Sequence, residues 1–181
     1  MIRTIRAALA GVASVAALTA GTTTAHAEQA APTAAGDTVA QFQVTHSGKC
    51  LEINNGAVNN GLPAQQWSCN AATLAQQWTM VPTPDSSFEL RSVSSGKCLE
   101  VENSSAEAGA KVQQWTCTGG KQQRWRLVLV DQVNKLFQLR PTHTEDRCLD
   151  VVDAKTENGA KTQQWYCNQT PAQLWQIKPV K

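Results

Sequence analysis

Few side chains in this sequence are equipped for covalent or acid–base chemistry. The carboxylate pairs that fall beside repeated positions are Glu100 with Glu102 and Asp150 with Asp153. Hydrolysis of a glycosidic bond needs two carboxylates at a set separation across a cleft. These pairs are near neighbours in sequence, and surface or binding roles explain them more simply. Beyond residue 27 the histidines are His46 and His143, in dissimilar turn sequences. No nucleophile elbow, phosphate loop or zinc motif is present. The sequence predicts a protein that binds rather than one that catalyses, and it calls for no cofactor and no metal.

The cysteines point the same way. Residues 1–27 read as a signal peptide: a basic start at Arg3 and Arg6, an alanine-rich apolar run from Ala7 to Ala20, and Ala25-His26-Ala27 as a small-x-small cleavage site. The run is too short to span a membrane comfortably, so no membrane insertion is expected. Six cysteines in an exported chain read as three disulfides, which leaves no thiol nucleophile. There is no Cys-x-x-Cys and no histidine at a recurring position, which argues against zinc. Removing residues 1–27 takes two arginines and no acid, leaving fourteen basic residues against fourteen acidic ones. A neutral surface suits neither nucleic acid nor anionic membrane. The polar content lies in Gln, Asn, Thr and Ser, uncharged donors and acceptors that suit neutral polyhydroxylated ligands. We expect a monomer.

A threefold repeat must position these residues. Cys50-Leu51-Glu52 leads to Gly61, Gln65-Gln66-Trp67-Ser68-Cys69 and Gln76-Gln77-Trp78. Cys98-Leu99-Glu100 leads to Gly109, Gln113-Gln114-Trp115-Thr116-Cys117 and Gln123-Arg124-Trp125. Cys148-Leu149-Asp150 leads to Gly159, Gln163-Gln164-Trp165-Tyr166-Cys167 and Gln173-Leu174-Trp175. All six cysteines and all six tryptophans fall at repeated positions. Such units cannot bury their apolar faces alone and must pack together. The symmetry favours two disulfide schemes, one closing each copy on itself and one linking each copy to the next.

Short alternating segments set the fold class. Gln41 to Thr45, Cys50 to Ile53, Pro63 to Cys69 and Trp78 to Val81 read as strands, divided by Gly- and Asn-rich turns. Phe88 to Arg91, Cys98 to Glu102 and Trp125 to Val130 repeat the pattern, as do Leu136 to Leu139 and the chain on to Ile177. No amphipathic helix is visible. The expectation is an all-β barrel or sandwich over residues 41–181, with repeats at about 41–85, 86–132 and 133–181, after a disordered leader at 28–40. Trp78, Trp125 and Trp175 read as core, because a buried tryptophan supplies the apolar area that a small lobe needs.

The recurring Cys-Leu-Asp/Glu, Gly, Gln-x-Trp-x-Cys and Gln-x-Trp resemble the ricin-type (R-type) lectin repeat, also found in family 13 carbohydrate-binding modules such as xylan-binding domains. The resemblance implies a β-trefoil of three pseudo-equivalent lobes and disulfides within each copy: Cys50–Cys69, Cys98–Cys117 and Cys148–Cys167. It implies a secreted carbohydrate-binding lectin with up to three shallow sites for a galactoside or a xylan-type glycan. In that family Trp67, Trp115 and Trp165 hold the platform on which a sugar ring stacks, and Glu52, Glu100 and Asp150 the carboxylate that accepts from adjacent hydroxyls. Gln65, Gln113 and Gln163 precede the platform. Gln76, Gln123 and Gln173 complete the site or brace its loop. The amide that often precedes the second Gln-x-Trp is Gln122 in the second copy and is replaced by Ala75 and Ala172 in the others. Glutamate is one methylene longer than aspartate, so the oxygens of Glu52 and Glu100 are expected to arrive elsewhere than those of Asp150. The third copy is therefore expected to bind best. Asp150 is read as exposed, so that its substitution would leave stability nearly intact. The other reading is a trefoil interaction protein with degenerate sugar sites, either a protease inhibitor or a partner subunit of a secreted enzyme. Its longest non-repeated loops, Val81 to Ser87 and Val130 to Asn134, are short for an inhibitor.

Overall fold

The structure, a computed structural model, describes residues 38–180; the expected signal peptide and all but the last residues of the expected leader lie outside them. Each repeat contributes four strands. In the first lobe these are β1 (Thr38–Val44), β2 (Cys50–Ile53), β3 (Ala64–Trp67) and β4 (Trp78–Pro82). The second has β5 (Phe88–Ser92), β6 (Cys98–Val101), β7 (Val112–Trp115) and β8 (Arg124–Asp131). The third has β9 (Leu136–Pro141), β10 (Arg147–Val151), β11 (Thr162–Tyr166) and β12 (Trp175–Pro179). Six of them close a ring of antiparallel pairs: β1 with β4, β4 with β5, β5 with β8, β8 with β9, β9 with β12 and β12 with β1. Closure removes the exposed edges that so many short strands would otherwise present. The other six form the hairpins β2–β3, β6–β7 and β10–β11. A six-stranded barrel with three such hairpins is a β-trefoil. Among the described residues no helix is long and apolar enough to cross a membrane.

One boundary differs from the sequence expectation. β1 begins at Thr38, inside the stretch read as leader. Thr38, Val39 and Ala40 pair with Met80, Thr79 and Trp78, and Ala40 is fully buried. Their backbone groups are needed to complete the ring, a demand that the alternation pattern of one segment cannot reveal.

The core follows the threefold repeat. Trp78, Trp125 and Trp175 are fully buried with Leu51, Leu99 and Leu149. Each indole Nε1–H donates to the carbonyl of the leucine in its own lobe, at 3.1, 2.9 and 3.2 Å. A buried indole is thereby fully paired, and its lobe's hairpin is tied to the barrel strand. Three disulfides close Cys50–Cys69, Cys98–Cys117 and Cys148–Cys167 within the lobes.

The lobes are joined in a cycle. Gly61 of the first lobe donates its N–H to the Gln114 carbonyl of the second, Gly109 of the second to Gln164 of the third, and Gly159 of the third to Gln66 of the first. The side chains of the same glutamines carry the junction further. Gln66 Nε2 donates to the carbonyls of Lys155 and Glu157, Gln114 Nε2 to those of Ala57 and Asn59, and Gln164 Nε2 to those of Ser105 and Glu107, all within 2.7–3.0 Å. All three glutamines are fully buried. A loop carbonyl that loses its donor away from water costs about 1–3 kcal/mol. Gln114→Met, which keeps the length and removes the amide, should therefore lower unfolding free energy by about 1–3 kcal/mol in urea titration of the oxidised protein. A change below a few tenths would show that the junction does not depend on this amide.

Candidate functional site

Each hairpin places an acid opposite a glutamine. Glu52 faces Gln65 across β2–β3, Glu100 faces Gln113 across β6–β7 and Asp150 faces Gln163 across β10–β11. The two residues of such a pair project to the same side of the sheet, and the tryptophan two positions after the glutamine joins them there. Trp67, Trp115 and Trp165 are 41%, 40% and 39% exposed, against 0% for Trp78, Trp125 and Trp175. The two tryptophans of each repeat are thus divided between surface and core.

The acids are not exposed. Glu52 and Glu100 are 5% and Asp150 is 6% accessible, which overturns the expectation that Asp150 stands free of the fold. In every lobe each carboxylate oxygen accepts from a different glutamine. Glu52 takes Gln65 and Gln76, both at 2.9 Å. Glu100 takes Gln113 at 2.9 Å and Gln123 at 2.8 Å, and Asp150 takes Gln163 at 2.8 Å and Gln173 at 3.1 Å. The longer glutamates therefore reach the same pair of amides as the aspartate. Glutamine side chains have enough torsions to follow the oxygens, so the extra methylene changes the reach without changing the partners. Two donors per acid leave further lone pairs on each oxygen for a ligand hydroxyl.

Gln76, Gln123 and Gln173 also brace the site loop, the alternative role weighed for them from the sequence. Their Nε2 donates to the carbonyls of Ser68, Thr116 and Tyr166, and their Oε1 accepts from the N–H of Asn70, Thr118 and Asn168. Acid, glutamine pair and loop form one hydrogen-bonded unit in each lobe.

A cavity opens beside each tryptophan. In the first lobe Glu52, Trp67, Gln76, Asn55, Asn70 and Ala75 enclose about 390 Å³. In the second Glu100, Gln113, Trp115, Gln122, Asn103 and Thr118 enclose about 210 Å³. In the third Asp150, Gln163, Trp165, Asp153, Asn168 and Ala172 enclose about 370 Å³. The second is the smallest, and its wall carries Gln122 where the others have alanine. Gln65, Gln123 and Gln173 hold the acids without lining the cavities. Asn55, Asn103 and Asp153 were not assigned to the site from the sequence, where Asp153 entered only as one half of a carboxylate pair. Each stands at the same offset, three residues after the acid, and each adopts a positive φ of 52–56° in a 3₁₀ turn. Asn and Asp tolerate that conformation, and the recurrence of the offset was the signal that could have found them.

The cavity of one lobe leans on the next. A Cβ added at Gly61, Gly109 or Gly159 would lie 3.6–3.8 Å from the indole of Trp115, Trp165 or Trp67, and all three glycines have φ of 80–87°. The glycine of each repeat therefore supplies a turn that most side chains could not adopt, directly beneath the neighbour's exposed indole.

Burial pushes the Asp150 carboxyl above its ordinary value of 3.8, with the amides of Gln163 and Gln173 opposing the shift. In Asp150→Asn the new amide group must face one glutamine donor. Gln173 is held in place because its Oε1 already accepts from Asn168, so the mismatch falls on Gln163. We expect a loss of about 1–3 kcal/mol in folding stability, read from urea denaturation midpoints. A variant as stable as the parent would show that Gln163 turns its amide without penalty.

The comparisons with known proteins agree with this fold. The family model described as "Ricin-type beta-trefoil lectin domain-like" matches residues 29–115, 74–165 and 123–181. No curated protein matches the sequence. Among solved structures, the chain is 34% identical to the designed threefold-symmetric protein ThreeFoil, with a TM-score of 0.73 over 77% of this chain and 97% of that one. It is 30% identical to part of 1,3Gal43A, an exo-β-1,3-galactanase from Clostridium thermocellum, with a TM-score of 0.74 over 79% of this chain and 30% of that enzyme. The ricin B-like lectin of Macrolepiota procera, solved with lactose, is 20% identical with a TM-score of 0.65, covering 77% and 94% of the two chains; this last likeness bears on the fold alone.

Proposed function

Because the chain belongs to the ricin-type β-trefoil lectin domain-like family, we propose that it is a secreted, non-catalytic lectin with one shallow sugar site in each of its three lobes. The observation that carries the reading is the recurrence, in all three lobes, of an exposed indole beside a carboxylate held by two amides. The apolar C–H face of a pyranose can cover the indole, while the fixed carboxylate accepts from ring hydroxyls. Rigid placement of both groups lowers the ordering cost of binding. Export is supported by the cysteines, all of which are in disulfides. Galactosides lead the candidate ligands, since lectins of this fold have been solved with lactose and GalNAc; a xylan-type glycan is the other class to test. A monomer with three sites suffices for multivalent binding.

The third lobe is ranked as the best site on its acid alone, since Asp150 is the aspartate of the family pattern, while the first lobe's cavity of about 390 Å³ is as roomy as the third's 370 Å³. Titrations of galactose, lactose and xylotriose into Trp67→Ala, Trp115→Ala and Trp165→Ala test both the function and the ranking. Trp165→Ala should lose the most, and retention of full binding by all three variants would reject the reading. A glycan polymer should bind about 10²–10⁴-fold more tightly than its monosaccharide if it can span two sites.

The third lobe should also respond to acid. A protonated carboxyl loses an acceptor, so its affinity should fall as pH drops. Burial raises the Asp150 carboxyl, so the fall should begin at a higher pH than for an ordinary aspartate. Asp150→Asn should flatten this dependence in sugar titrations between pH 7 and roughly pH 4. An unchanged pH profile would assign the dependence to another group.

A further inference from the structure

We propose that the third lobe carries a second stacking subsite on Tyr166, which takes the sugar residue adjoining the one seated on Trp165. The inference rests on the reading of Trp165 as a sugar platform. Tyr166 occupies the position between the exposed tryptophan and the second cysteine, filled by Ser68 and Thr116 in the other lobes. Those two residues serve the lobe junction. The Ser68 N–H donates to Asn158 Oδ1 at 2.9 Å and the Thr116 N–H to Asn60 Oδ1 at 3.0 Å, and their hydroxyls reach the same oxygens. The residue that would receive Tyr166 is Ala108, which has no side-chain acceptor. The third lobe has given up a junction bond and set an aromatic ring there instead, 52% exposed. Nothing in the packing of the core explains it.

The ring is held as a platform should be. The Arg147 guanidinium lies 3.9 Å from its centroid and covers one face, an arrangement favourable through the ring quadrupole. Arg147 is the cross-strand partner of Tyr166 and pairs with Asp146 as well. The Tyr166 carbonyl is fixed by Gln173 Nε2 at 2.9 Å, the same amide that holds Asp150. The Trp165 and Tyr166 rings stand 6.1 Å apart at 81°. That separation is about one sugar residue, and the angle requires a linkage that turns neighbouring rings out of a common plane. The ligand class is a neutral oligosaccharide of two or more residues with a kinked linkage, in preference to a flat ribbon. Because Tyr166 is already immobilised by Arg147, little rotamer freedom is lost on binding.

The test isolates the third lobe in a Trp67→Ala/Trp115→Ala background and titrates galactose and a panel of galactosyl disaccharides that includes lactose, following indole N–H resonances by NMR. Tyr166→Thr installs the residue found in the second lobe. We expect galactose affinity to stay within about twofold while at least one disaccharide binds about threefold to tenfold more weakly, the scale of one lost aromatic contact. Tyr166→Phe should bind like the parent. If no disaccharide discriminates Tyr166→Thr from the parent, the subsite is wrong and the sugar site on Trp165 stands. If Trp165→Ala in the same background leaves galactose binding unchanged, or the background binds neither the panel nor xylotriose, the functional reading itself falls and the subsite with it.

Discussion

The structure depends on the cyclic hydrogen bonding between lobes. A lobe of about fifty residues has too little interior to stand alone, and its hairpin would leave loop carbonyls unpaired. Gln66, Gln114 and Gln164 answer both needs by crossing into the preceding lobe of the cycle, where backbone and side chain together bind the Gly-containing loop. The adjoining residues of the same strand act differently. Gln65, Gln113 and Gln163 turn toward the acid of their own lobe, and Trp67, Trp115 and Trp165 toward solvent. Alternation along the strand sends the middle residue to the junction and its two neighbours together to the opposite face, one toward the acid and one toward solvent.

This arrangement couples binding surface to architecture. The carboxylate that would meet a sugar is buried and amide-bonded, and the glutamine that fixes it also fixes the site loop. The indole rests over a neighbour's glycine. Preorganisation of this kind comes from the fold itself, so the side chains around a ligand need little rearrangement. It also means that site residues are not separable from stability, as they would be on a mobile surface loop.

Much of this was legible in the sequence, for identifiable reasons. Trp78 and Trp67 could be told apart because one lies in an alternating apolar strand and the other beside a glycine-rich turn near a cysteine. The threefold spacing reduced the disulfide pairings to two symmetric schemes, and the family likeness pointed to the one observed. Depth was not legible. Alternation places Asp150 opposite Leu149, yet both are buried, because the loop from Asn168 to Gln173 folds over the polar side of the hairpin. The equivalence of Glu52 and Asp150 was hidden as well, since it lies in the torsions of the glutamines and not in the acids. The second glutamine of each Gln-Gln-Trp looked like a duplicate of the first; its role exists only in side-chain bonds to another lobe, 55–91 residues away in sequence. Tyr166 carried a visible signal, a large aromatic where the other copies have hydroxyl residues, but its meaning required the alanine across the junction.

The ring has a further property. β1 pairs with β12 along five residue positions, and the Val180 N–H donates to the Val39 carbonyl at 2.9 Å. The first and last strands therefore meet as neighbours, as any two consecutive barrel strands do. The junction from third lobe to first is built from the same glycine–glutamine bonds as the two junctions crossed by a continuous backbone. Chain connectivity is then almost irrelevant to which lobe touches which. A circular permutant in which a short linker joins the start of β1 to the end of β12 and the chain is opened in the loop between β4 and β5 should retain every interlobe bond described above. Such a molecule separates the order in which the lobes are synthesised from the order in which they stand, so that any of the three could be made first without altering the surface presented.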